Sequence, residues 1–152
     1  MRSPQTAAHS SPTAIPWTYL SAALLALIGL GDAVYLTIQH ITGASLRCTV
    51  ISGCSEVLSS PYAQVGPMPL AAIGAAAYFV VFSFAILAAF SYGFAIPLLR
   101  IVVALMFLTT LWLLYLQAFV IKHFCQYCLL SAAVTIAVVA ILFLPALWRR
   151  RR

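Results

Sequence analysis

Every cysteine of the chain falls in one of two pairs: Cys48 and Cys54 in "CTVISGC", and Cys125 and Cys128 in "CQYC". Thiols so grouped can exchange electrons with a disulfide through a mixed-disulfide intermediate, staple a fold, or bind a soft metal. The C-x-x-C pair sits where an apolar run begins that reads as a helix. Cys125 and Cys128 then share one face at i, i+3, and a disulfide between them is feasible. A helix N-terminus favours a thiolate, and the neighbouring Lys122 and His123 are expected to lower the thiol pKa further. By type and spacing, this pair is suited to react.

The elements that position these thiols follow from hydropathy. The 152 residues are 64% hydrophobic and only 7% charged, with a mean hydropathy of +1.08, against about 25% charged residues in soluble domains. An apolar run of about 20 residues spans the hydrocarbon as a helix. Four such runs occur, at about Trp17–Ile38, Pro69–Phe90, Pro97–Val120 and Tyr127–Leu147. The fold class expected is therefore all-α integral membrane: a four-transmembrane-helix bundle with one long extracytoplasmic loop, about Gln39–Gly66, between helices 1 and 2. The tight "SYGFAI" connection makes the second and third spans antiparallel neighbours. Residues 1–16, rich in Ser, Pro, Thr and Ala, read as a disordered tail, 17–148 as the membrane domain and 149–152 as a basic cytoplasmic tail.

Basic residues favour the cytoplasmic side of short loops. Arg2, Arg100 and Arg149 to Arg152 fall on one side, Arg47 and Lys122 on the other. This predicts cytoplasmic N and C termini in an inner (plasma) membrane, with all four cysteines outside. The net charge of +6 then marks orientation and contact with the lipid bilayer, not nucleic-acid binding. An oxidising compartment on that side lets disulfides persist.

Four cysteines admit three pairings. Two static disulfides in a non-catalytic membrane scaffold are one reading. A four-thiolate zinc site is another, disfavoured because its usual halves are both C-x2-C, whereas the first pair is C-x5-C. The third reading explains why the pairs are so far apart: a loop pair exchanges electrons with an outside protein, and a membrane-level pair exchanges them with a species dissolved in the bilayer. Gly43, Gly53 and Gly66 supply flexible points for the loop. No other metal-ligand cluster, phosphate-binding glycine loop or carboxylate pair is apparent.

The stretches "CTVISGCSEVLSSPYAQVGPMPLAAIGAAAY" and "FCQYCLLSA", with the order helix, loop pair, a serine six residues beyond the second loop cysteine, a Gly- and Pro-containing start to the second span and C-x-x-C opening the fourth, resemble the vitamin K epoxide reductase family, most closely its bacterial members. The resemblance covers about Trp17 to Leu147. It implies a four-helix bundle around a quinone of the menaquinone, ubiquinone or vitamin K type. In that arrangement reducing equivalents from a thioredoxin-fold, DsbA-like oxidase pass through Cys48 and Cys54 to Cys125 and Cys128, and on to the quinone. Cys128 matches the cysteine that faces the quinone, Cys125 the one that receives the relay, and Ser60 a serine near the head group. Which loop cysteine attacks Cys125 is left open. Many bacterial members carry a fused thioredoxin-like domain after an additional helix, whereas here "WRRRR" follows the fourth span, so the expected partner is a separate protein.

Vertebrate members carry an asparagine at the position of Leu70 and a tyrosine at that of Ala132, both in contact with the vitamin K ring. Plain quinone reduction is accordingly favoured over epoxide reduction, which stays as the alternative. A DsbA-like oxidase lies near about −120 mV, and its reoxidation needs a stronger acceptor, which a respiratory quinone supplies. Proteins of the DsbB type also combine four helices, four cysteines and a quinone, but place their C-x-x-C in the first outer loop, the reverse of this order.

Asp32 interrupts the first span, where acids are costly. It reads either as a carboxylate hydrogen-bonded to a neighbouring helix or as a group handling protons beside the quinone. Arg100 reads as an interface anchor, and His123 as a proton carrier or a surface residue. Tyr62, Tyr78, Trp112 and Tyr115 read as packing or interface aromatics, and "GAAAY" after Ile73 as a site of close helix approach.

Overall fold

The computed structural model describes residues 16–43 and 53–150. Cys48, Arg2, Arg47, Arg151, Arg152 and the N-terminal stretch through residue 15 lie outside the described residues. Among the described residues four helices are long and apolar enough to cross a membrane, and the chain is a multi-pass membrane protein. Helix α1 (Pro16–Thr42) begins at a proline, whose missing N–H costs nothing in a first turn, and runs a turn beyond the apolar stretch.

Six residues, Cys54–Ser59, form the short helix α2, followed by a 3-10 turn at Pro61–Ala63. Strands β1 (Gln64–Val65) and β2 (Met68–Pro69) then pair antiparallel, with Val65 opposite Met68. Gly66 takes a positive φ of 64° in the intervening turn. The Nε2 atoms of Gln64 and His40 lie 3.0 Å apart, tying this hairpin to the end of α1. The expected long loop is therefore partly built into structure.

Helices α3 (Leu70–Ala89) and α4 (Ala95–Tyr115) are joined by a short turn. In it Ser91 adopts a φ of 67°, and the Tyr92 N–H donates to the Leu87 carbonyl at 3.1 Å, closing the helix in Schellman fashion. The two helices pack side by side, as their tight connection requires. Beyond Tyr115 the third span loosens into a π-helical turn, Leu116–Ile121, and ends at Lys122 in the left-handed conformation. The last helix, α5 (Gln126–Arg150), starts after only three further residues and continues through Pro145.

α1 packs on α3 and α5, and α4 closes the bundle against both of those. The shared core contains Ala22, Ala26 and Ala33 of α1, Ala85 and Ala88 of α3, Leu99 and Val103 of α4, and Val134 and Val138 of α5. Small residues predominate because lipid tails are as apolar as leucine, so helices associate by close packing. A Cβ on Gly74 would lie 4.0 Å from that of Ala33, which places "GAAAY" at such an approach. Large apolar side chains such as Leu24, Ile28, Phe79, Leu105 and Leu108 are exposed on the bundle's outside, where a bilayer would cover them.

Candidate functional site

Three of the four cysteines meet at one end of the bundle. Cys54 opens α2, where the Val57 N–H donates to the Gly53 carbonyl at 3.1 Å. Gly53 is pressed against the chain entering α5: a Cβ there would lie 2.9 Å from the Phe124 carbonyl oxygen, and its φ of 157° suits glycine. This approach buries Cys54 and Val57 with Cys125 in one cluster, flanked by Leu58, Ile121, Tyr127 and Cys128. Cys54 is disulfide-bonded, and Cys125 and Cys128 are free thiols. A disulfide-bonded cysteine and a free thiol thus share one buried cluster.

Cys125 is the N-cap of α5. Its carbonyl accepts the Leu129 N–H at 3.0 Å. Its sulfur accepts hydrogen bonds from the Cys128 thiol and from the backbone N–H groups of Cys128 and Tyr127, the groups an N-cap side chain normally satisfies. These bring its pKa from 9.0 down to about 7, the Cys128 thiol contributing most, against the upward pull of burial and of the Asp32 charge. Lys122 and His123 do not contribute as expected: both are exposed, and the charge of His123 acts instead on Glu56 of α2. Hydrogen bonds at the helix terminus, rather than neighbouring positive charge, lower this thiol's pKa.

Gln117, which sequence reasoning passed over, sits beside the cysteine pair. It is buried, its Oε1 accepts the Cys125 backbone N–H at 3.4 Å, and its side chain lines the same cavity as Cys128. The π-helical turn carries it inward, and such turns often occur at functional sites. A glutamine within an otherwise apolar span was the available signal.

Beneath the cysteines lies a cavity of about 160 Å³, bounded by α1, α3, α4, α5 and the segment following α2. Leu36, Leu113, Leu114 and Ile121 give it an apolar wall, while Asp32, Ser60, Gln117, Cys128 and Ser131 offer polar atoms. Leu70 and Ala132 also line it, so the two positions that distinguish vertebrate relatives face the same space. Ser60 is in the wall, with its hydroxyl donating to the Val57 carbonyl at 2.7 Å, which closes α2. Among the described residues no group of three metal-ligating side chains occurs.

Tyr78 does more than pack. Its hydroxyl lies 2.8 Å from the Ser131 hydroxyl and 3.0 Å from that of Thr135, and donates to the Ser131 carbonyl at 2.9 Å. Gly29 leaves room for its ring: a Cβ there would collide with the ring carbons. The arrangement locks α3 to α5 one turn below Cys128. Trp112, Tyr115 and Phe119 form an exposed aromatic row on the third span, as interface aromatics do. Tyr62 is half-exposed at the cavity rim.

A four-helix membrane bundle with paired thiols at the mouth of a mainly apolar cavity defines a membrane redox protein. A model of the vitamin K epoxide reductase family matches residues 20–143, most of the chain, and the protein belongs to that family. It is accordingly a membrane oxidoreductase. No curated protein matches the chain.

Proposed function

We propose that the protein is a quinone-dependent thiol oxidase that reoxidises a separate thioredoxin-fold, DsbA-like partner. The observation that carries this reading is the shared burial of disulfide-bonded Cys54 and thiol Cys125, with Cys128 opening from the same cluster onto the cavity.

In this account the partner's dithiol reduces the loop disulfide of Cys48 and Cys54. The Cys54 thiolate attacks the sulfur of Cys125 in an oxidised Cys125–Cys128 pair. A Cys54–Cys125 disulfide forms and Cys128 leaves as a thiolate. Cys48 then attacks Cys54, which re-forms the loop disulfide and releases Cys125. A leaving thiol of low pKa departs faster, and the hydrogen bonds that hold Cys125 near 7 supply this advantage. Cys125 and Cys128 finally close their disulfide and pass two electrons to a quinone in the cavity, which supplies a two-electron, two-proton sink when bound.

The cavity wall suits a quinone ring: apolar side chains for its faces, and hydroxyl and amide groups for its oxygens. Leu70 and Ala132 offer no polar contact, which favours plain quinone reduction over turnover of an epoxide. The arginine distribution supports cytoplasmic termini and cysteines on the outer side.

Trapping thiols in cells tests this reading against a static scaffold. Depleting quinone should accumulate reduced Cys125 and Cys128 and reduced partner. Cysteine states that stay fixed under quinone depletion and partner removal would contradict it.

A further inference from the structure

The cavity holds one polar group with no assigned work. Asp32 is 8% exposed, lines the cavity together with Cys128, and its Oδ2 atom is buried without a hydrogen-bond partner. The first sequence reading, a carboxylate bonded to a neighbouring helix, supplies no partner for that oxygen. Leaving a buried polar atom unsatisfied is costly, and an acid within a membrane span is costly again. Leu36 and His40, one and two turns further along α1, line the same cavity. His40 sits at its outer rim, in contact with Gln64 of the hairpin.

Resting on the quinone reading above, we propose that Asp32 donates a proton to the quinone as Cys125 and Cys128 are oxidised. Reduction to quinol takes two electrons and two protons. The two sulfurs give the electrons as their S–S bond forms. When Cys125 reacts as the thiolate, only Cys128, which has taken up one of the two protons released by the loop dithiol, brings a proton; Asp32 gives the second and is left as a carboxylate. That carboxylate regains its proton from the outer side, where oxidation of the next loop dithiol releases protons and where His40 lies at the rim. The titratable groups facing this region are Cys125, Tyr127 and Cys128 at the start of α5, Tyr78 from α3, Tyr62 from the 3-10 turn, and Tyr35 and His40 on α1 itself.

The test compares wild type, D32N and D32E in single-turnover reduction of a short-chain quinone. It is combined with infrared difference spectra of the carboxyl region and separate measurements of quinone affinity and of Cys54–Cys125 exchange. D32N should slow quinone reduction about a hundredfold, the scale of a general acid, and flatten its pH profile, with affinity and thiol exchange unchanged. D32E should restore most of the rate. A carboxyl band should bleach on reduction in wild type, shift in D32E and vanish in D32N. If D32N does not fold, the band in wild type and its shift in D32E decide the matter. Wild-type rate and pH profile in D32N, or no carboxyl band change in wild type, would overturn the proposal alone. A wild type that reduces no quinone would overturn the functional reading and the proposal with it.

Discussion

Gln117 Oε1 accepts the backbone N–H of Cys125 at 3.4 Å, while the same side chain lines the cavity together with Cys128. The amide thereby ties the third span to the start of α5, where the two thiols sit. Gln117→Leu leaves a buried N–H unsatisfied, at a cost of about 1–3 kcal/mol. Thermal unfolding should report that loss, and quinone reduction should slow about tenfold for each 1.4 kcal/mol that falls on the transition state.

The thiolate of Cys125 provides a pH signature. Ultraviolet thiolate absorbance of the reduced protein should titrate with a midpoint near the value of about 7. In Cys128→Ala the midpoint should move up, because the Cys128 thiol is the largest stabilising contact. An acid whose folded pKa lies below its unfolded value stabilises the fold fully above the unfolded pKa, and loses that contribution as pH falls through the folded one. The reduced protein should therefore gain stability from pH 7 to 9 relative to a Cys125→Ser variant. Parallel stability curves for the two would contradict this.

Gly53 sets how closely α2 approaches α5. In Gly53→Ala the new Cβ meets the Phe124 carbonyl oxygen at 2.9 Å, a backbone atom that cannot rotate away. Combined with Cys48→Ala and Cys128→Ala, which leave Cys54 and Cys125 as the sole thiols, it should cut the yield of the Cys54–Cys125 disulfide under mild diamide oxidation several-fold. The bundle should still fold, because the contact lies outside its membrane core. An undiminished yield would show that α2 docks without this approach.

Gly29 and Tyr78 make a separate test of the scaffold. Gly29→Ala drives a Cβ into the Tyr78 ring, and overpacking of this kind costs about 1–3 kcal/mol. Tyr78→Phe removes the hydroxyl shared with Ser131 and Thr135, at about 1 kcal/mol. Unfolding in detergent measures both, and the alanine variant should be the less stable.

Much of this was readable in the sequence because a bilayer leaves few choices. The four spans follow from apolar length, and the placement of Cys125 at a helix start follows from where the last apolar run begins. Other features carry no such signature. α2, with six residues, is too short for a hydrophobic period, and its docking rests on one glycine against a carbonyl oxygen. The π-helical turn that swings Gln117 inward looks like ordinary apolar helix in sequence. Lys122 and His123 are adjacent to Cys125 in the chain yet point into solvent, whereas Asp32, distant in the chain, faces the thiols across the bundle. Charge proximity depends on packing, and local sequence conveys it poorly.

The central claim is that electrons pass from a dithiol partner through Cys54 and Cys125 to a quinone beside Cys128. The most direct measurement is quinone absorbance over time with the purified, detergent-solubilised protein, a reduced DsbA-like partner and a short-chain quinone, alongside Cys54→Ala and Cys128→Ala. The account predicts partner-dependent quinone reduction that disappears in both variants. Quinone reduction that survives in Cys128→Ala, or none by the folded wild-type protein, would contradict it.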